Sequence, residues 1–224
     1  MRTRSKNTRI VAAALLAWIG AIAGSARAAL VSQSGPFGAD TQTLDTATGL
    51  VWLDVTESAG YSHTQILAEI QPGGTFEGYH LASAEEVATL FTNAGIDLGA
   101  GSAFVAENYT PVVALCALLG VLGNNGNCGA GCTFSFTSGY TGDPPNSPGS
   151  FRAANLAYFD NTAGLSPADP HAPIGRAYVN GGSSDGSSSS IGSFLIVPEP
   201  PAAGACALLA LAAIVRGVPR RRSG

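Results

Sequence analysis

The stretch Thr48-Gly49-Leu50-Val51-Trp52-Leu53-Asp54 decides how this chain is read. Asp45 to Gly49 has turn chemistry, and Leu50 to Leu53 is a short apolar run with a β-branched residue and an aromatic, so the pattern predicts a turn and then a buried strand. Downstream, Ser62-His63-Thr64-Gln65 has the spacing of a capping box, in which a hydroxyl and an amide three residues apart satisfy each other's backbone N–H groups. Ile66, Leu67 and Ile70 then form an apolar face, and Pro72-Gly73-Gly74 stops that helix. Ser83-Ala84-Glu85-Glu86 is a second box. Val87, Leu90, Phe91 and Ala94 follow at i, i+3, i+4 and i+7, with Gly95 as the left-handed stop.

Residues 111–123 are almost wholly apolar, from Val112 through Leu122. Thirteen residues is too short for a bilayer, so they predict a buried core helix. Beyond them, short β-like runs at 133–137, 155–159, 176–179 and 191–197 alternate with Gly, Ser, Asn and Pro, and the Ser/Gly-rich residues 181–192 read as a mobile loop. The expected fold is α+β: one small domain, residues 29–197, with early helices, later strands and a mostly antiparallel sheet. The run at 193–197 is expected to close the sheet.

Both ends differ from this body. The chain has 224 residues and 46% hydrophobic content against 12% charged, and its mean hydropathy of +0.22 is high for so small a share of charge. Between Ala29 and Val197 stand two basic residues, Arg152 and Arg176, against fourteen of the 15 acidic ones, a formal balance of −12. Such a body has no cationic surface with which to displace counterions, which excludes nucleic acid as a partner. Residues 1–28 read as a secretory signal: Arg2, Arg4, Lys6 and Arg9, an apolar run over 10–23, then Ala26-Arg27-Ala28 for signal peptidase. An uncleaved anchor is the alternative, and either way the body leaves the cytoplasm.

At the other end, Val197-Pro198-Glu199-Pro200 precedes the apolar residues 201–215 and then Arg216, Arg220, Arg221 and Arg222. A helix over those fifteen residues would span roughly 22 Å, short of the ~30 Å of a hydrocarbon core, so the anchor is marginal. Basic residues mark the cytoplasmic side, which puts both ends inside and the acidic middle outside. The two prolines forbid helix and strand pairing around Glu199 and keep it extended for a processing enzyme.

Pro-Glu-Pro, a short apolar helix and a terminal arginine cluster, in that order over residues 198–224, resemble the PEP-CTERM sorting signal of Gram-negative bacteria. The resemblance implies recognition by an exosortase, a membrane cysteine protease, and association with exopolysaccharide-producing surfaces. An ordinary tail anchor is the bland alternative. In the body, Thr48 to Asp54, followed by Gly74-Thr75-Phe76-Glu77-Gly78-Tyr79-His80-Leu81-Ala82-Ser83, is similar to an exported body found with this tail. More distantly it resembles bacterial surface domains with TGLxW and GYxLP-like motifs, some of them lectin-like. That likeness covers residues 45–91 and carries no catalytic residue. Trp52 and Tyr79 read first as packing aromatics and second as a sugar-stacking platform, with Tyr61 as a further aromatic on the second reading.

Other candidate chemistry is sparse. In an oxidising compartment a disulfide among Cys116, Cys128 and Cys132 is expected, preferably involving Cys116, while Cys206 lies in the C-terminal apolar run. No second cysteine pair or clustered histidine completes a zinc set. His63, His80 and His171 stand apart, without a metalloprotease pairing or a nucleophile elbow. Asp143, Asp160, Asp169 and Asp185 lack calcium-loop spacing and read as solvated loop acids. The expected function is that of a non-enzymatic exported protein without cofactor, held at the inner membrane by its C-terminal helix and then passed to the cell surface or matrix. Its expected partners are signal peptidase, an exosortase and exopolysaccharide. A carbohydrate-binding module is the alternative, and a matrix hydrolase using Asp54 with Glu57 is the third.

Overall fold

The computed structural model describes residues 29–125, 133–144, 150–160 and 173–198. The signal segment, Glu199 and everything after it, Cys128, Cys132, Asp169 and His171 lie outside the described residues. The fold is α+β as expected, but the described residues form two mostly antiparallel sheets in place of the one expected. The first sheet has the order β1-β2-β3-β10-β4, from β1 (Leu30–Gly35), β2 (Gly38–Asp45), β3 (Leu50–Leu53), β4 (His80–Leu81) and β10 (Leu195–Pro198). The second runs β5-β6-β7-β8, from β5 (Gly123–Asn125), β6 (Thr133–Tyr140), β7 (Ser150–Asp160) and β8 (Ile174–Ser184). A two-residue strand, β9 (Gly192–Ser193), pairs parallel with β6.

Both capping boxes form. Ser62 caps α1 (His63–Glu69) and Ser83 caps α2 (Ala84–Asn93), each with its reciprocal side-chain bond from Gln65 or Glu86. Gly95, at φ 88°, takes the left-handed turn after α2 that a Cβ would strain. The apolar run becomes α3 (Tyr109–Leu119), beginning two residues before Pro111. Its buried stripe is Val112, Leu115, Cys116 and Leu119, while Ala114 and Ala117 are exposed, so α3 lies on the core rather than inside it.

Three expectations are corrected. The segment before Asp45 is the β1–β2 hairpin, so strands open the body before any of the helices expected to come early. The segment 133–140 is strand to its end, and β7 and β8 extend well past the apolar runs that marked them. The Ser/Gly segment is strand as far as Ser184, and the remainder is tied down rather than loose. The Gly60 N–H bonds to the Ser188 carbonyl at 3.0 Å, and the Asp185 carboxylate accepts from both the N–H and the hydroxyl of Thr64.

The main core lies between the two sheets, with α2 and α3 laid on the inner face of β7 and β8. Trp52 and Ile196, paired across β3 and β10, meet Phe91, Leu115, Leu156 and Phe194 there. Leu53 and Leu195 face the other way, into a smaller core with Ile66, Phe76 and Tyr79 under α1. The first sheet is therefore covered on both faces, which explains why Leu50 to Leu53 and Leu195 to Val197 are apolar runs rather than alternating ones.

Candidate functional site

The two ends of the body leave from one pole. Leu30 pairs with Asp45, Asp45 with Leu50, and Leu50 with Pro198, so one line of register crosses four strands. Three strand spacings of about 4.8 Å put the first and last residues of the body roughly 14 Å apart. Against the expectation that the prolines bar strand pairing, Val197 pairs with Val51 and Pro198 with Leu50, so the sheet holds the first two residues of the Val197–Pro200 motif; proline lacks only the N–H donor. Glu199, Pro200, Arg216, Arg220, Arg221 and Arg222 lie outside the described residues, and among those described no helix is long and apolar enough to cross a membrane.

The two aromatics read as a possible glycan platform are packed inside. Trp52 is 1% exposed, with its ring edge-on to Phe194 at a centroid distance of 6.4 Å. Tyr79 is 8% exposed, and its hydroxyl accepts a hydrogen bond from the Gln42 amide. Neither offers a ring face to a sugar. Cys116 is buried and unbonded among the described residues, its expected partners Cys128 and Cys132 lying outside them, and burial pushes its pKa up to about 11, with a hydrogen bond to Thr137 acting the other way. A thiol kept protonated in this way is inert.

The acidic side chains split into two groups. Asp143 accepts from the Ala84 N–H at the start of α2, Asp97 from the Gly99 N–H, and Asp185 from Thr64, so these loop acids serve as local caps. Among the described residues no group of three His, Cys, Asp or Glu is placed to hold a metal ion. Asp54 differs. One of its carboxylate oxygens is buried without a partner, and burial first, then Glu57 and Asp40, raise its pKa from 3.8 to about 7. The Glu57 N–H bonds to the Asp54 carbonyl at 3.0 Å, so the two acids share one turn.

The raised Asp54 pKa carries a signed consequence. The folded state holds this proton to about pH 7 and the unfolded state only to about 3.8, so the stabilisation is complete below 3.8 and is lost as the pH rises through 7. Converted in full between pH 5 and pH 8, the shift is worth about 3 kcal/mol, and solvent on the open side of the group reduces that to about 1 kcal/mol. Asp54→Asn is therefore expected to gain about 1 kcal/mol more over the wild type at pH 8 than at pH 5, with the gain vanishing only below about pH 3.8, read from urea midpoints. An equal effect at both pH values would contradict the assignment.

His63, at the start of α1, is 6% exposed. Its ring stacks on Phe151 at 4.1 Å and stands edge-on to Tyr140 at 5.6 Å. Burial lowers its pKa, and the Asp185 charge pulls the other way. His80 is exposed on β4. No two of the described histidines are brought together.

The outer face of the second sheet holds the one constellation that sequence reading missed. Cross-strand pairing puts Phe136, Ser138 and Tyr140 of β6 on one face with Ala157, Asn155 and Ala153 of β7. The opposite face, carrying Leu156 and Ala177, meets the helices. Phe104, Phe134 and Phe159 cluster at one end of the outer face, with the Arg176 guanidinium 4.5 Å from the centre of the Phe104 ring. At the other end is a groove of about 320 Å³, floored by Phe136, Ser138 and Asn155 and walled by Ser183, Ser188 and Ile191.

Local chemistry builds that groove. The Phe136 ring lies over Gly123 on β5, where an added Cβ would come within 2.2 Å of it. A register shift between Ala153 and Asn155 interrupts the β7–β8 ladder beside the groove, as bulges commonly do where a side chain is re-aimed. The Asn155 Oδ1 is buried and has no hydrogen-bond partner. Tyr140 pins the wall: its hydroxyl donates to the Ser184 carbonyl at 2.8 Å and accepts from the Gly186 N–H at 3.3 Å. The signal was present in the sequence as the alternation Phe134, Phe136, Ser138, Tyr140, but only the strand register joins it to Asn155 and the serines. A second groove of about 220 Å³, lined by Leu30, Ala94, Pro111, Ala114 and Leu118, is mainly apolar. Asp54 and Glu57 line neither groove. Compared with known proteins, the chain matches no family model, no curated protein and no solved structure.

Proposed function

We propose that this chain is a non-enzymatic exported protein, inserted by its N-terminal signal, held at the inner membrane by residues 201–215, and handed by an exosortase to the cell surface or matrix. The observation that carries this reading is the common pole of Leu30 and Pro198. A body whose two ends emerge about 14 Å apart hangs from a bilayer by both flanking segments without strain, as the basic ends require. The position of Pro198 on that same line also supports it, because the chain leaves the sheet toward residues 199–224 from the pole where the body begins. Fusing residues 198–224 to an unrelated secreted reporter tests the address. The reporter is expected to fractionate with membranes in a host lacking an exosortase and to be released in one that has it. The same fate as the untailed reporter in both hosts would contradict the reading.

A second reading, a saccharide-binding module, is favoured by the outer face of the second sheet, where hydroxyls, an amide and an aromatic ring line one groove. The aromatics at 52 and 79 give it no support. The hydrolase reading gains nothing from the geometry, since Asp54 and Glu57 share a turn but line neither described groove.

A further inference from the structure

We propose that the groove between β6, β7 and the 185–191 segment is a seat for a neutral saccharide unit, with Asn155 as its hydrogen-bonding anchor and Phe136 as its apolar floor. The inference rests on the second reading above and assigns it a place and a ligand class.

The lining decides the class. No acidic or basic side chain lines the groove, so nothing there would balance a carboxylate, phosphate or ammonium group. Asp185 stands next to the wall, and the body as a whole is acidic, which disfavours an anionic sugar further. What the groove does offer is several hydroxyls that both donate and accept, one amide, and two apolar surfaces in Phe136 and Ile191. A pyranose ring matches both halves, with hydroxyls on its rim and C–H groups on its face. The volume of about 320 Å³ falls at the small end of ligand sites, suited to one or two sugar residues rather than a large cofactor.

Asn155 is half-buried and lines the groove, and its Oδ1 is left without a hydrogen-bond partner. A buried acceptor left without a donor costs about 1–3 kcal/mol, and a ligand hydroxyl that reaches it recovers that loss. Pre-organisation is the other requirement. A serine- and glycine-rich wall would be expensive to order on binding, yet this one is already fixed by Tyr140 to Ser184 and Gly186, by Thr64 to Asp185, and by Gly60 to Ser188. Those contacts join the wall to α1 and β6, elements with cores of their own.

The test is a calorimetric titration of the full chain in a zwitterionic detergent, chosen because sugar-headed detergents would compete. The probes are cellobiose, lactose and maltose, with a uronic-acid disaccharide as the charged comparison. Two variants are run beside the wild type: Asn155→Leu, which removes the anchor while keeping the branched shape and the number of side-chain heavy atoms, and Ser187→Trp, which fills the groove from its exposed rim without touching the sheet. At least one neutral disaccharide is expected to bind, about 10-fold or more weaker in both variants, with the uronic-acid probe weaker than the neutral ones. Binding that both variants leave unchanged would overturn the groove while sparing the module reading. No neutral binding up to about 50 mM would overturn both. Tighter binding of the charged probe would overturn the ligand class.

Discussion

Trp52→Ala is expected to destabilise the protein by about 3–5 kcal/mol, the cost of removing a buried indole and leaving its cavity. Trp52 is 1% exposed, sits opposite Ile196 on one side and Thr43 on the other, and packs edge-on to Phe194. Its ring joins the first sheet to the helices, so the loss falls on the main core rather than on a rim. Against a total stability of about 5–15 kcal/mol, this variant should show a large drop in urea midpoint or fail to accumulate. Trp52→Phe should lose much less. The indole N–H is buried without a partner, so phenylalanine keeps the apolar ring and removes an unsatisfied donor. If Trp52 were a sugar platform, the alanine variant would instead keep its midpoint and lose only binding. Near-wild-type stability of Trp52→Ala would contradict its place in the core.

What could be read in the sequence was what neighbours in the chain decide. Ser62 with Gln65 and Ser83 with Glu86 are pairs three residues apart, and both boxes close as their spacing requires. The turn from Asp45 to Gly49 is equally local: the Asp45 carboxylate accepts from the Ala47 N–H, and Gly49 takes φ 70°. The hairpin of β1 and β2 was not legible. Its residues, Ser, Gln, Gly and Thr in the main, become strand through pairing with each other and through β3, not through apolar alternation of their own. Arg152, Ala153 and Ala154, and likewise Gly181 and Gly182, hid the full lengths of β7 and β8, since tertiary pairing overrides weak strand preference.

The insertion of β10 between β3 and β4 is the least local feature of all, joining residues more than 100 positions apart. The run at 193–197 was legible as strand, but it does not close a sheet: Ser193 pairs with β6 in the second sheet and Leu195 to Val197 enter the middle of the first. The candidate groove was hidden for the same reason. Its floor comes from β6 and β7 and its wall from the segment after β8, and their meeting is a matter of register.

That central place of β10 sets the second large effect. A chain ending at Phe194 is expected not to fold cooperatively, and one ending at Pro198 to keep its whole described core. Leu195 and Ile196 are both fully buried, one in each core, and their side chains contribute about 1.5–3 kcal/mol apiece. Losing them also uncovers Trp52 and leaves the facing edges of β3 and β4 without hydrogen-bond partners, which together exhaust a stability of about 5–15 kcal/mol. Circular dichroism melts of the two truncated chains separate the cases: a cooperative transition in the shorter chain would contradict the role given to β10.

The same geometry limits where processing can occur in the cell. If residues 198–224 are an address and residues 29–197 are the body, with Pro198 the last residue paired in the sheet, the enzyme that removes the address must cut beyond Pro198. The intact mass of the chain released from cells is therefore the most direct measurement. The account predicts a species that begins at Ala29 and ends at or within a few residues after Pro198. A released chain that still carries residues 201–224, or one that has lost any of Leu195 to Pro198, would contradict it.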